Sequence, residues 1–138
     1  MKVGLATVDE LLAEMASKPL LLKFRHESRD AHDGQVDMTC FAVAADDPNK
    51  PYGYVDYSIF QDEVYIEMVE VPPRYRHYHG IAARMMLSVA LENNTTWEKI
   101  HKGMQTDDGA KLVTFLNKNF RGKPKREIEA YLASPVEG

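Results

Sequence analysis

The stretch VEVPPRYRHYHGIAARMM, Val69 to Met86, has residue types in an order that can hold an anion. An apolar run ends at Pro72 and Pro73, and a short loop then supplies Arg74, Arg76, His77, Tyr78 and His79. Gly80 leads from the loop into Ile81, Ala82 and an apolar helical pattern. A helix N-terminus carries backbone N–H groups with no intrahelical acceptor, and the helix dipole adds positive potential there. Phosphate suits both. A glycine at the entry lets a ligand approach the backbone, and the arginines and histidines add donors. The alternative is a basic strand-to-helix turn whose arginines are simply solvated.

Two carboxylates stand just upstream, Glu67 and Glu70. A strand carboxylate can take a proton from an attacking nucleophile, directly or through water. In a regular strand their odd separation sends them to opposite faces, Glu67 with Tyr65, Val69 and Val71, and Glu70 with Val64, Ile66 and Met68. Glu70 sits near the strand end, which favours Glu67. The bland alternative for each is a solvent-facing glutamate.

Three other groups are accounted for structurally. Cys40, the single cysteine, lies in the apolar run MTCFAV and fits a small core residue better than a nucleophile. In RHESRDAHDG, His26, Asp30, His32 and Asp33 crowd together, yet their spacing matches no metal motif. A polar surface loop from Ser28 to Gly34 is expected, and no metal. Tyr52 and Tyr54, with Tyr57 nearby, share a strand face with no basic residue interleaved, so they suit sheet packing rather than base stacking.

Periodicity supplies the elements that must position these residues. Thr7 and Glu10 form a capping box for a first helix, which Pro19 stops. LLLKFRHE alternates as a strand. Three strand candidates follow, DMTCFAVAA, YGYVDYSIF and VYIEMVEV, separated by the short connectors DDPNKP and QDE, which predicts an antiparallel meander. Gly80 to Asn93 reads as a packed helix and KIHKGM as a short strand. DDGAKLVTFLNKNF, capped by Asp107 or Asp108, and KPKREIEAYLAS, with Ile128, Tyr131 and Leu132 inward, read as two further helices. One α+β (mixed α/β) domain over residues 1–138 with a central sheet is expected.

Composition narrows the function. With 138 residues, 44% hydrophobic and 28% charged, the chain is an ordinary globular sequence. A formal net charge of −4 argues against nucleic acid as partner. The start MKVGLATVDE lacks a signal-peptide core and no run is long enough to span a membrane, so a soluble, cytoplasmic protein is expected.

The meander followed by this loop and helix resembles the GNAT superfamily of N-acetyltransferases. The matching residues are Val71, Pro73, Tyr75, Arg76, Gly80 and Ala82, and the likeness extends from Tyr52 to Phe120, where DDGAKLVTFLNKNF is similar to the family's next helix. The resemblance implies a mostly antiparallel sheet flanked by helices, with acetyl-CoA as co-substrate and an amine on a small molecule or protein as acceptor. It implies that the amides and side chains from Arg76, His77, Tyr78 and His79 to Gly80, Ile81 and Ala82 hold the pyrophosphate. The backbone of Val69 and Val71 would pair with the pantetheine arm, and Glu67 or Glu70 would relay the amine proton.

The chain also departs from the family pattern. His77 stands where the family has arginine or glutamine, with Arg76 one residue earlier. Phe115 occupies the place of a tyrosine that protonates the leaving thiolate. The 18 residues after Phe120 read as helical, so the family's C-terminal strand pair is expected to be shortened or missing. These departures admit a second class of function, a catalytically silent binding or structural subunit, for instance of a bacteriophage particle or a protein complex. An open sheet edge left by the missing pair would then be covered by a partner or a second copy.

Overall fold

A computed structural model describes residues 19–103 and 106–137. Four strands, β1 (Leu22–His32), β2 (Gln35–Ala44), β3 (Asp47–Phe60) and β4 (Glu63–Glu70), form an open antiparallel sheet in chain order. Two-residue turns join them. Positive φ at Asp33 and Gly34, and at Gln61 and Asp62, gives the turn geometry that matches strand twist. The polar segment expected as a loop from Ser28 is mostly strand, because Asp30, Ala31 and His32 find partners in Asp37, Val36 and Gln35. Likewise β3 begins at Asp47, inside the expected connector.

Three helices complete the described chain: α1 (Ile81–Glu92), α2 (Asp107–Phe120) and α3 (Lys125–Ala133). Met85, Leu87 and Val89 of α1 are fully buried with Cys40, Val55 and Tyr57 of the sheet. Each such side chain contributes about 1.5–3 kcal/mol of hydrophobic stabilisation. The cap of α2 is Thr106, whose hydroxyl accepts the Gly109 N–H at 3.2 Å, rather than either aspartate. Asp107 and Asp108 fall in the first turn instead, where they oppose the helix dipole favourably. Ile128 of α3 is buried, and Tyr131 and Leu132 pack partly buried against the core.

The strand expected at KIHKGM shrinks to one parallel bridge. Ile66 N–H donates to the His101 carbonyl at 2.8 Å, and His101 N–H donates to Val64 at 2.9 Å. A single 3-10 turn, Trp97–Lys99, precedes it. The C-terminal segment adds one antiparallel bridge, Val136 with Leu20, at 2.7 and 2.8 Å. The helix expected after Thr7 and the end of KIHKGM at Met104 lie outside the described residues. Among the described residues no helix is long and apolar enough to cross a membrane.

Bulges decide which way the strand side chains face. Arg29, Tyr52 and Glu67 have no partner in the register of their strands. An extra residue reverses the in–out alternation beyond it. On β4, Ile66 pairs with Tyr57, Met68 with Asp56 and Glu70 with Tyr54. Glu67 and Glu70 therefore share one face, contrary to the opposite faces expected from a regular strand. Ile66, Val69 and Val71 all pack against the core. The second bulge separates Tyr52 from Tyr54, which were expected on one face. Tyr52 is 5% exposed, with ring centroids 4.5 Å from Tyr75 and 6.0 Å from Tyr78, while the Tyr54 hydroxyl donates to Met68 Sδ at 3.4 Å.

Candidate functional site

The outer edge of β4 is engaged where Val64 and Ile66 meet His101. In an antiparallel strand the backbone groups of alternate residues point to alternate edges. The extra residue Glu67 moves that outward direction from Met68 to Val69. A cleft of about 750 Å³ opens here, with Glu67, Val69 and Glu70 on one wall, Ala82 and Met86 of α1 at its base, and Leu112 of α2 opposite. A second cavity of about 560 Å³ shares Val71, Arg76, Ala82 and Leu112 with it and reaches the N-terminus of α1. The two cavities adjoin at these four residues as the two halves of the groove.

The loop between β4 and α1 ties up four of its amides in backbone hydrogen bonds. Pro73–Tyr75 forms a 3-10 turn. Tyr75 N–H bonds Pro72, Arg76 N–H bonds Pro73, Tyr78 N–H bonds Tyr75, and His79 N–H bonds the Glu137 carbonyl at 2.9 Å. The N–H groups that open α1 are placed differently. Gly80 caps this helix in the left-handed conformation, φ 92°, with no side-chain cap and no acidic residue in the first turn. The first intrahelical bond comes from Arg84 N–H to Gly80, so the earlier amides lack a helical acceptor.

Gly80 is needed for a reason the sequence did not offer. A Cβ there would lie 2.5 Å from Arg84 Nη1 and 2.7 Å from the Tyr131 hydroxyl. Its side-chain direction meets Arg84 and Tyr131, which themselves line the cavity at the α1 N-terminus. Tyr78, His79, Gly80, Ile81 and Ala82 all line the groove, as do Val69, Val71 and Arg76. His77 does not line either cavity. It is exposed and its ring packs on Tyr78, centroids 4.2 Å apart.

Both candidate bases are tied to arginines. Glu67 Oε2 lies 3.8 Å from Arg29 Nη2, and the same guanidinium stands 3.6 Å from Asp56, which also accepts from the Thr39 hydroxyl at 2.7 Å. Glu70 Oε1 lies 3.4 Å from Arg76 Nη2, while Arg76 Nε donates to the Val71 carbonyl at 2.8 Å. Arg76 thus folds back over the end of β4.

Several groove residues were not singled out in the sequence. Lys102 Nζ donates to the carbonyls of Ile100 at 2.7 Å and Trp97 at 2.9 Å and stands 4.0 Å over the Trp97 ring. Burial holds its pKa below the usual lysine value, partly offset by Glu98. Thr106 reaches the same cleft from the start of α2, as does Asp108, which the sequence offered only as a helix cap. Nothing local in the sequence marks them, since only the turn of the chain at His101 brings them beside β4. Phe115 lines the cavity at the α1 N-terminus and is 42% exposed.

The histidine-rich segment divides. His26 turns inward, with Nδ1 2.9 Å from the Tyr57 hydroxyl and Nε2 2.9 Å from Ser88 Oγ. Burial lowers its pKa, against an opposing pull from Glu92. Burial also raises the neighbouring Tyr57 and Cys40 to about 12 each. A thiol held there is inert at neutral pH. At the hairpin tip, Asp30, His32 and Asp37 bring ligand-type atoms within 4.8 Å of one another. The His32–Asp37 hydrogen bond of 3.0 Å raises the histidine pKa, while the Asp37 pKa is lowered first by the hydrogen bond it accepts from Gln35 at 2.8 Å and then by His32.

No protein-family model, curated protein or solved structure matches the chain.

Proposed function

We propose that the protein is an acetyl-CoA-dependent N-acyltransferase of the GNAT type. The observation that carries this reading is the pair of adjoining cavities that reach from the bulged edge of β4 to the uncapped start of α1. An extended pantetheine arm needs a strand edge with free backbone groups, and its pyrophosphate needs converging amides. Val69 would supply the former, and the amides of Gly80 to Ala83 the latter.

In this reaction the acceptor amine attacks the thioester carbonyl carbon. A C–N bond forms, the C–S bond breaks, and the thiolate leaves with the electron pair. The amine proton passes to Glu67, directly or through water, and finally to solvent or the thiolate. Holding the two reactants side by side supplies much of the acceleration. Glu67 suits the relay because the bulge sets it beside Val69 at the cleft wall. Glu70, tethered to Arg76, is better suited to holding the arginine in place.

A second reading, the catalytically silent subunit, draws on Phe115, which offers no proton to a thiolate, and on the arginine already paired with Glu67. Calorimetric titration with acetyl-CoA, repeated on Ala82→Glu, distinguishes the two. Ala82 lines both cavities and lies in the first turn of α1. A carboxylate there favours the helix dipole while repelling a phosphate. Binding by the wild type that disappears in a stably folded variant supports the enzyme. A folded wild type that binds no acetyl-CoA excludes it and leaves the silent subunit.

A further inference from the structure

Arg84, one turn into α1, is 4% exposed, and among the described residues it is the one charged side chain in the buried set. A buried guanidinium is ordinarily opposed by a carboxylate, because desolvating the charge is costly. Arg84 has none. Its Nη atoms donate to neutral groups from three elements: the carbonyls of His79 and Gly80 in the loop, the Tyr131 hydroxyl of α3, and Ser134 Oγ and the Pro135 carbonyl beyond it. The Tyr131 ring lies 4.1 Å from its guanidinium carbon. The ion pairs among the described residues do not include it. Its Nε is buried with no partner among the described residues. Glu137 is the acidic residue lining the adjoining cavity, and it makes no ion pair with Arg84.

The contacts also fix the peptide orientation. In a trans peptide the C=O and N–H point in opposite directions. By holding the carbonyls of His79 and Gly80, Arg84 turns the N–H groups of Gly80 and Ile81 away from itself. The start of α1 therefore combines oriented amides, no side-chain cap, no acid in the first turn and an unopposed buried cation.

We infer that Arg84 is a positioning residue and buried counter-charge for a phosphate-bearing ligand at the N-terminus of α1. This deepens the acyltransferase reading and rests on it for the ligand being coenzyme A. Arg84 acts through the two peptide units it clamps and through its charge, which raises the potential at the cavity without requiring direct contact.

The test is calorimetric titration of wild type, Arg84→Met and Arg84→Lys with coenzyme A, inorganic pyrophosphate and pantetheine, which has no phosphate. Expected is a loss on the order of tenfold for coenzyme A and pyrophosphate in Arg84→Met, with pantetheine affinity unchanged. Arg84→Lys, keeping the charge but losing the fork, recovers part of the loss. A merely structural role would weaken all three ligands alike, and that result, or pyrophosphate bound undiminished by Arg84→Met, overturns the inference. Should Arg84→Met fail to fold, NMR of the wild-type Arg84 Nε–H decides: a shift on adding pyrophosphate supports the role, and an unmoved signal overturns it. Wild-type protein that binds pyrophosphate but neither coenzyme A nor acetyl-CoA would end the acyltransferase reading while leaving the role of Arg84 standing. Acetyl-CoA bound equally by wild type and Arg84→Met would do the reverse.

Discussion

Glu67, the unpaired residue of the β4 bulge, has its carboxylate 3.8 Å from the guanidinium of Arg29, which also faces Asp56 at 3.6 Å. Arg29 is itself the unpaired residue of the β1 bulge. Two irregularities on different strands therefore meet on one sheet face, and they hold a carboxylate at the wall of the cleft. If the protein is the acyltransferase proposed above, Glu67→Gln should lower kcat for acetyl transfer by about 100-fold, the scale of general-base assistance, with KM for acetyl-CoA nearly unchanged. Glu70→Gln should instead raise that KM, because it releases Arg76 from the end of β4. Steady-state kinetics on both variants separates the two roles, and full kcat in Glu67→Gln would remove that residue from the chemistry.

Gly53 sits where the end of β4 crosses α1. A Cβ there would lie 2.8 Å from the Glu70 carbonyl, 3.1 Å from Met85 Cε and 3.2 Å from Val71 Cγ2. The closest of these is backbone and cannot swing aside. Gly53→Ala should destabilise the fold by about 1–3 kcal/mol, the usual cost of overpacking. Urea denaturation measures it, and a variant as stable as wild type would mean that this crossing yields easily.

The pH dependence of stability should carry the mark of His26. Its folded pKa lies below the ordinary 6.5, because burial disfavours the cation, although Glu92 pulls the other way. The unfolded chain therefore takes the proton first. This contribution is intact above pH 6.5 and is lost as pH falls from there through the folded pKa. His32 has the opposite sign: its raised pKa contributes stability at low pH that disappears as pH rises through the folded value. Thermal melts of wild type and His26→Gln between pH 5 and 8 should run parallel above pH 6.5 and converge as pH falls below it. Curves that stay parallel below pH 6.5 would contradict the assignment.

Cys40 should resist alkylation in the native protein. Its thiol is fully buried and pushed up to about 12, with the hydrogen bond from Ser88 only partly opposing the effect of burial. Labelling with a disulfide reagent at neutral pH should be slow without denaturant and should follow the unfolding transition as urea is added. Rapid labelling of the folded protein would show that the sheet–helix interface opens far more readily than its packing implies.

Much of the fold was legible because it rests on local rules. Alternating residues and short polar connectors gave the antiparallel meander, and Ile128, Tyr131 and Leu132 marked the inner side of the last helix. The groove was legible in part. The run from Arg76 to Ala82 contains the residues that line it, but His77 turns outward, and neither the loop's internally bonded amides nor the packing behind Gly80 could be read from residue types.

By itself the sequence determined the antiparallel meander and the three helices that follow it, in their order, since periodicity is a property of each segment. Tertiary structure alone decided the bulges at Arg29, Tyr52 and Glu67, the short bridge at His101, and the carboxylate-free burial of Arg84. A bulge is set by how two whole strands register and twist together, and a buried charge by which distant groups close around it. Both depend on pairings between residues far apart in the chain, and no local pattern encodes them.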